Sequence, residues 1–174
     1  MFISPKTAIS EGWIKFPDWM DEEQQTKCIQ PNAIDITADG ISQIIARAEG
    51  ALLSESDKRF HNLLKCDPDA DGYVDLLPNG LYDVHSDFYV DLPEGVAAEL
   101  VIRSTLNRMG VVLNSGLWDS GYRGHLGAVI RNRSGLLKLH MNTRVCQIKF
   151  IRSEVSGVVY AGGYNKEKGE HWAA

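Results

Sequence analysis

The chain has 174 residues, 44% of them hydrophobic and 24% charged, which is typical of a soluble globular domain with a real core. Its formal net charge of −5 argues against nonspecific nucleic-acid binding, which needs clustered surplus lysine and arginine. No apolar run approaches the roughly 20 residues of a membrane-spanning helix, and the first residues show no secretory signal. We therefore expect neither a nucleic-acid nor a membrane partner.

The three cysteines, Cys28, Cys66 and Cys146, are scattered along the chain. Their spacing is not that of metal ligands, so it argues against a zinc site. Free, odd-numbered cysteines are typical of a reducing compartment, and we expect a cytoplasmic protein.

The first residues predict a short helix over residues 4–16, with Ser4 as its N-cap and Pro5 at its first helical position. Residues 17–25 are polar and acidic, which favours a connection. Residues 28–37 then predict a strand with one polar face, because apolar and polar side chains alternate. Residues 41–65 have helical spacing in part, although a strand-rich fold could override it.

From residue 73 onward, short apolar or alternating runs are separated by Gly, Pro, Asn and Asp. Many short strands at such spacing indicate a β-sandwich or barrel. The predicted strands cover residues 73–77, 80–84, 88–92, 98–102, 111–113, 126–131, 136–140 and 145–151. The stretch from residue 160 to the end is rich in glycine and charge, which predicts a mobile tail.

One stretch concentrates the candidate chemistry, Gly116-Leu-Trp-Asp-Ser-Gly-Tyr-Arg-Gly124. Its glycines lie between two apolar runs, which indicates a tight hairpin turn. Such a turn could hold the Asp119 carboxylate where it orients a water, with the Tyr122 ring as the floor of a ligand pocket. A polar surface turn is the alternative.

The region from Arg103 to Arg133 contains five arginines and only one acid, Asp119. Glycines and the Ser104 hydroxyl are interleaved with these arginines, which favours an anion site over a merely solvated basic face.

The Gly116–Gly124 stretch resembles the G-[LVI]-[IVW]-D-x-x-Y-x-G motif of the dUTPase and dCTP deaminase superfamily. Four other segments, in the same order as in that superfamily, are similar to its remaining motifs: residues 30–35, 102–110, 142–148 and 162–164. The resemblance implies one mainly β domain over residues 1–174, a distorted β-barrel or jelly roll with a short N-terminal helix and few others. It also implies a homotrimer with shared active sites and a tail, from about residue 160, that closes over the site.

The resemblance assigns roles to the hairpin. Asp119 would bond the sugar 3′-hydroxyl and position the attacking water, and Tyr122 would pack under the deoxyribose. Backbone groups near Asn114 and Gly116 would read the pyrimidine edge, and Tyr164 in the tail would close over the base.

The other motifs would hold a deoxynucleoside triphosphate with Mg²⁺ as cofactor. The resemblance implies that Ser104 bonds a phosphate oxygen and acts as a catalytic group. It implies phosphate contacts or support for Arg103, Arg108, Gln147 and Lys168, with Lys166 as an alternative to Lys168. Asp35 would support the metal–triphosphate through water.

The N-terminal helix with Gln30-Pro31 and the segment 103–110 resemble the deaminase branch, which uses a glutamate on the strand after the hairpin as base and proton shuttle. The matching position here is Val129, and a valine cannot move a proton. The resemblance therefore implies hydrolysis of dUTP to dUMP and pyrophosphate. Alternatives are dCTP deamination, hydrolysis of dCTP or a modified pyrimidine nucleotide, and an inactive nucleotide-binding relative.

Overall fold

Short strands make up most of the regular structure in the computed structural model, which describes residues 1–155, 157–168 and 170. The helices are α1 (Pro5–Ser10), α2 (Glu22–Cys28) and α3 (Ser104–Arg108). The strands are β1 (Phe2–Ile3), β2 (Ile14–Lys15), β3 (Ile34–Thr37), β4 (Gly40–Ile45), β5 (Leu52–Leu53), β6 (Lys58–Arg59), β7 (Asn62–Lys65), β8 (Tyr73–Leu76), β9 (Leu81–Asp91), β10 (Val96–Ile102), β11 (Val111–Asn114), β12 (Leu117–Trp118), β13 (Arg123–Asn132), β14 (Leu137–His140) and β15 (Arg144–Arg152).

Two antiparallel sheets carry the fold. One has the order β1-β15-β10-β12, with β3 also paired to β15, and the other has the order β11-β13-β9-β4-β7, with β2 also paired to β9. Side chains from both sheets meet in one core, in which Phe88, Leu126, Ile148 and Phe150 are at most 1% exposed. Each such side chain contributes about 1.5–3 kcal/mol of burial free energy. The mainly β prediction is confirmed, and in the described residues the sheets stay open rather than closing into a barrel.

The N-terminal helix is confirmed but is shorter than predicted. Ser4 accepts a hydrogen bond from the Thr7 amide at 3.2 Å and Pro5 opens the helix, which ends at Ser10. Gly12 has a φ of +73°, a left-handed conformation that breaks the helix, and residues 14–15 form β2 instead.

Helix α2 was missed, because residues 17–25 were predicted to be a connection. Asp21 and Gln24 form a reciprocal capping box at its N-terminus. The helix buries only Cys28 of its seven residues, so it carries no apolar periodicity that could have revealed it. The local signals were the capping pair, the acidic Glu22 and Glu23 in the first turn and the basic Lys27 in the last turn.

Two other predictions are corrected by sheet pairing. The strand in residues 28–37 is confined to Ile34–Thr37, and its polar face is not solvated, since Asp35 and Thr37 are 0% and 2% exposed. In residues 41–65, the helical spacing is overridden by β4, which pairs with both β7 and β9.

The predicted strands from residue 73 onward are confirmed, with one difference. Residues 80–84 and 88–92 belong to a single strand, β9, whose register against β13 shifts between His125 and Leu126. The shift is held by Asp39, whose Oδ2 accepts hydrogen bonds from the Asp87 amide at 2.7 Å and the Ser86 hydroxyl at 3.1 Å. Burial raises the pKa of Asp39.

No helix among residues 1–155, 157–168 and 170 is long and apolar enough to cross a membrane.

Candidate functional site

The predicted hairpin is present and joins the two sheets. Strand β11 pairs with β13, which places Asn114 opposite Val129, while β12 leaves the hairpin to pair with β10 through Trp118 and Ala98. Asp119 lies in the turn that follows β12, and its carbonyl oxygen accepts a hydrogen bond from the Tyr122 amide at 3.0 Å. Its side chain is exposed.

An open cavity of about 390 Å³ lies beside this turn. The turn and the tail supply most of its wall, and much of that wall is aromatic. Its lining residues are Gly116, Leu117, Trp118, Asp119, Tyr122, His125, Gly127, Tyr160 and Tyr164. Four of the five residues predicted to surround the nucleoside therefore line one cavity: Gly116, Asp119, Tyr122 and Tyr164. Asn114 lies nearby, exposed at the end of β11.

Tyr122 is a fixed, uncharged wall of this cavity. It is 5% exposed, and its hydroxyl donates to the carbonyl oxygen of His125 at 3.0 Å. Burial raises its pKa to about 12, so the phenol stays neutral in ordinary buffers. Its ring packs against Trp118 and Tyr160, with centroids 6.4 and 5.7 Å away. A neutral aromatic plate of this kind suits a sugar or a base.

The tail packs against the hairpin of its own chain. The Tyr160 amide donates to the Ser120 carbonyl at 2.7 Å, and the Lys166 amide donates to the Arg123 carbonyl at 2.9 Å. The Arg123 amide in turn donates to Oδ1 of Asn165 at 2.9 Å. These three bonds hold residues 160–166 as a strap along one side of the cavity.

Lys168, predicted to grip a terminal phosphate, instead pairs with Asp18 at 2.6 Å in this structure. A residue farther along the predicted tail, Gly169, lies outside the described residues, as do residues 171–174.

A second cluster forms around Asp35, which lies on β3 opposite Gln147 of β15. Oδ1 of Asp35 accepts a hydrogen bond from Nε2 of Gln147 at 2.8 Å. Oδ2 accepts hydrogen bonds from Nη1 of Arg144 at 3.1 Å and, more weakly, from Nε2 of Gln30 at 3.4 Å, and it forms an ion pair with Nε of Arg103 at 3.2 Å. The predicted residues Asp35, Arg103 and Gln147 are thus brought together, and Arg144 and Gln30 join them.

Helix α3 presents two more predicted groups to solvent beside this cluster. Ser104 is its first residue and Arg108 its last, and both side chains are exposed. Arg103 occupies the N-cap position of this helix and makes no side-chain cap bond, so Ser104 does not cap it. Both exposed groups are available to an oxyanion.

The predicted site residues therefore fall into two groups within one chain. Strand β10 connects them, since its Ala98 pairs with Trp118 of the hairpin and its Ile102 pairs with Cys146 beside Gln147. Those positions are about 13 Å apart at 3.3 Å per residue. Among the described residues, no hydrogen bond or ion pair joins the Asp119 group to the Asp35 group.

The donor set does not fit a metal ion held by this chain. Within the described residues, no three His, Cys, Asp or Glu side chains converge to hold one. Asp35 has both oxygens engaged by amide and guanidinium donors, and two guanidinium charges beside it disfavour a cation.

Three polar residues near the hairpin were not among the predicted site residues. His125 lines the cavity, and the ring of His85 lies 5.9 Å from it, hydrogen-bonded to Asp87 at 3.2 Å. Asp83 lies opposite Val129 on β9, and burial raises its pKa. The sequence feature that could have indicated His125 is the alternation of side chains along a strand, which places His125, Gly127 and Val129 on one face of β13.

Arg144 was also missed, although it lies within the 142–148 motif. Its role depends on Asp35 being buried beside it, which the sequence did not indicate.

Comparison with known proteins identifies a matching family and several relatives. The family described as dCTP deaminase-like matches residues 8–153. A protein of Methanopyrus kandleri named probable deoxyuridine 5′-triphosphate nucleotidohydrolase is 32% identical over 152 residues, 87% of this chain and 93% of its own. A protein of Sulfurihydrogenibium sp. named dCTP deaminase, dUMP-forming, is 27% identical over 97% of this chain and 94% of its own.

Two solved structures share the fold. The 2′-deoxycytidine 5′-triphosphate deaminase of Agrobacterium tumefaciens superposes with a TM-score of 0.65 at 15% identity, covering 86% of this chain but only 47% of that one. The Staphylococcus bacteriophage 80alpha dUTPase, solved with dUPNHPP, superposes with a TM-score of 0.50 at 16% identity, covering 92% and 94%.

Proposed function

The chain belongs to the dCTP deaminase-like family, and on that premise we propose that it hydrolyses dUTP to dUMP and pyrophosphate. The observation that carries the proposal is the pairing of an exposed Asp119 carboxylate with an aromatic cavity, while position 129 holds a valine. The cavity suits a nucleoside, and the carboxylate suits a water. A valine supplies no proton shuttle for deamination.

In the proposed reaction, Asp119 orients a water and accepts its proton as the water oxygen attacks the α-phosphorus. The bond from that phosphorus to the oxygen bridging to the β-phosphate breaks, and pyrophosphate leaves. The neutral ring of Tyr122 lies against the deoxyribose, and the backbone near Asn114 and Gly116 reads the pyrimidine. Tyr164 covers the base from the strap.

Charge on the triphosphate is matched by the second group. Ser104 and Arg108 are exposed for phosphate contact, and Arg103 and Gln147 stand beside them around Asp35. Donors aimed at developing negative charge are the main means of accelerating phosphoryl transfer. On substrate binding, Lys168 would leave its ion pair with Asp18 and bind the terminal phosphate instead. Mg²⁺ enters as part of the substrate, bound to the triphosphate oxygens.

The separation of the two groups within one chain supports a homotrimer with shared sites. The nucleoside would lie in the hairpin cavity of one copy, and its phosphates would reach the Asp35 cluster of a neighbouring copy. This arrangement joins groups that the described part of a single chain keeps apart.

Deamination of dCTP is the second candidate, and Asp83 is the observation that favours it. Asp83 is a carboxyl group directly across the strand pair from Val129, on the same face of the sheet. Its burial raises its pKa, which suits a proton-transferring group.

Incubation with dUTP or dCTP and Mg²⁺, followed by chromatographic separation of products, distinguishes the two. Pyrophosphate and dUMP from dUTP support the proposal, whereas ammonia from dCTP without pyrophosphate overturns it. Tight binding of dUTP without product would instead identify an inactive relative. Asp75→Ala, at an exposed carboxylate of β8, is the matched control for Asp119→Ala.

A further inference from the structure

Protein donors engage both oxygens of the buried Asp35 carboxylate. It is 0% exposed, and a carboxylate offers about four lone-pair positions. Four side chains lie 2.8 to 3.4 Å from its oxygens, with Gln147 at Oδ1 and Arg144, Arg103 and Gln30 at Oδ2. Because the residue is fully buried, its carboxylate offers no exposed face to a water that would bridge it to a metal.

The surrounding charge also opposes a metal. Two guanidinium groups face one carboxylate, so the cluster carries a net charge of +1 before Arg108 is counted. Mg²⁺ requires oxygen ligands in near-octahedral geometry and keeps several of its waters. An environment of cationic donors around a closed carboxylate suits an anion and not a hydrated cation.

The same contacts fix the orientation of two phosphate-binding candidates. Arg103 directs Nε to Asp35 and Nη1 to the carbonyl oxygen of Arg144, at 3.1 Å, so two contacts fix the plane of its guanidinium group and neither uses Nη2. Gln147 directs its amide nitrogen toward Asp35, which leaves the second hydrogen of that nitrogen for a ligand. Arg144 is held at Asp35 and at the carbonyl of Lys27.

We propose that Asp35 is a positioning residue, which holds Arg103, Arg144 and Gln147 in a triphosphate-binding geometry, and that it takes no part in binding Mg²⁺. The inference rests on the proposed function for the identity of the ligand. A buried carboxylate paired with two arginines aligns their guanidinium groups in advance, so that binding an oxyanion costs little further ordering.

The test uses inorganic tripolyphosphate as probe, with binding measured by calorimetry in EDTA so that no divalent metal is present. We expect wild type to bind and Asp35→Asn to bind about 10-fold more weakly, because the amide no longer aligns both guanidinium groups. Asp75→Asn, which makes the same change at an exposed carboxylate on β8, should bind as wild type does. Equal binding by wild type and Asp35→Asn overturns the proposal.

Turnover of dUTP adds a second readout. We expect Asp35→Asn to raise KM with an unchanged half-saturating Mg²⁺ concentration. A metal-supporting Asp35 predicts the reverse: a higher half-saturating Mg²⁺ concentration and rescue by excess Mg²⁺. If no variant hydrolyses dUTP while the tripolyphosphate difference persists, the proposed function fails and the positioning role stands.

The variant Arg144→Lys provides a second test in case Asp35→Asn does not fold. It keeps the charge but loses the planar donor geometry at Asp35, and circular dichroism and gel filtration report its fold. We expect tripolyphosphate binding about 3-fold weaker than wild type. If Asp35→Asn does not fold, unchanged binding by a folded Arg144→Lys overturns the proposal.

Discussion

Replacing Gly121 by alanine tests whether the strap shapes the cavity. Gly121 has a φ of +85°, and a Cβ built there would lie 2.8 Å from Cβ of Val159 and 3.2 Å from the Tyr160 amide. The strap must move away, because the nearest atoms belong to its backbone or to a β-branched side chain close to it. Gly50→Ala is the matched control: its φ is +76°, and no described atom outside its own neighbourhood lies within 4 Å of the added carbon.

Both variants incur about 1–2 kcal/mol of strain from a left-handed backbone conformation. The difference between them in KM therefore reports the displacement of the strap alone. Loss of the Tyr160–Ser120 hydrogen bond costs about 1 kcal/mol, which is about 5-fold in affinity. Loss of the two bonds that join Arg123 to Asn165 and Lys166 as well brings the total to about 3 kcal/mol, or about 100-fold. We therefore expect the KM for dUTP to rise between about 5- and 100-fold in Gly121→Ala.

Hydrogen exchange at the Tyr160 and Lys166 amides gives the structural readout, since both are donors in strap bonds. Protection should fall in Gly121→Ala and persist in Gly50→Ala. If both variants show the same KM and the same protection, the strap does not depend on contact at Gly121 and the reasoning is wrong.

Three further predictions concern single side chains. Asp119→Asn should lower kcat for dUTP at least about 100-fold while dUTP binding, measured by calorimetry, stays within a few-fold; unchanged turnover would remove Asp119 from the mechanism. Tyr122→Phe should lose one buried hydrogen bond to the His125 carbonyl, about 1 kcal/mol, and lower the Tm by about 2–4 °C in a thermal melt. Asp83→Asn should raise the Tm at neutral pH, because a raised carboxyl pKa means that ionisation destabilises the folded state. That gain should shrink as the pH falls into the acidic range, where wild-type Asp83 becomes protonated; a gain that grows on acidification contradicts the burial argument.

The positions of the strands in the sequence could be predicted more completely than the burial of individual polar residues. Alternation located the strands from residue 73 onward, because each pairs locally or packs one apolar face on the core. Alternation in residues 34–37 predicted a strand with one polar face, but β15 lies beside β3 and all four of its residues are buried. The burial of Asp35 depends on partners more than 100 positions away in the sequence, Arg144 and Gln147, which donate hydrogen bonds to its carboxylate.

The candidate site shows the same limit. The hairpin group was predictable because Gly116, Asp119 and Tyr122 lie within one turn of the chain. His85 was not predicted because it lies on β9, about 40 positions before His125, and is brought beside the cavity by the pairing of β9 with β13, where it is opposite Gly127. Long-range pairing of this kind leaves no local signature in the sequence.

The strap bonds run to residues 120 and 123 of the same polypeptide, so each copy brings its own cover to its own nucleoside cavity. In assemblies mixed from chains truncated before Tyr160 and full-length chains carrying Asp119→Asn, activity should then stay absent, because neither chain has both the cover and the carboxylate at one cavity. A cover donated between copies would instead restore activity, since the full-length variant would cover the intact cavity of a truncated neighbour.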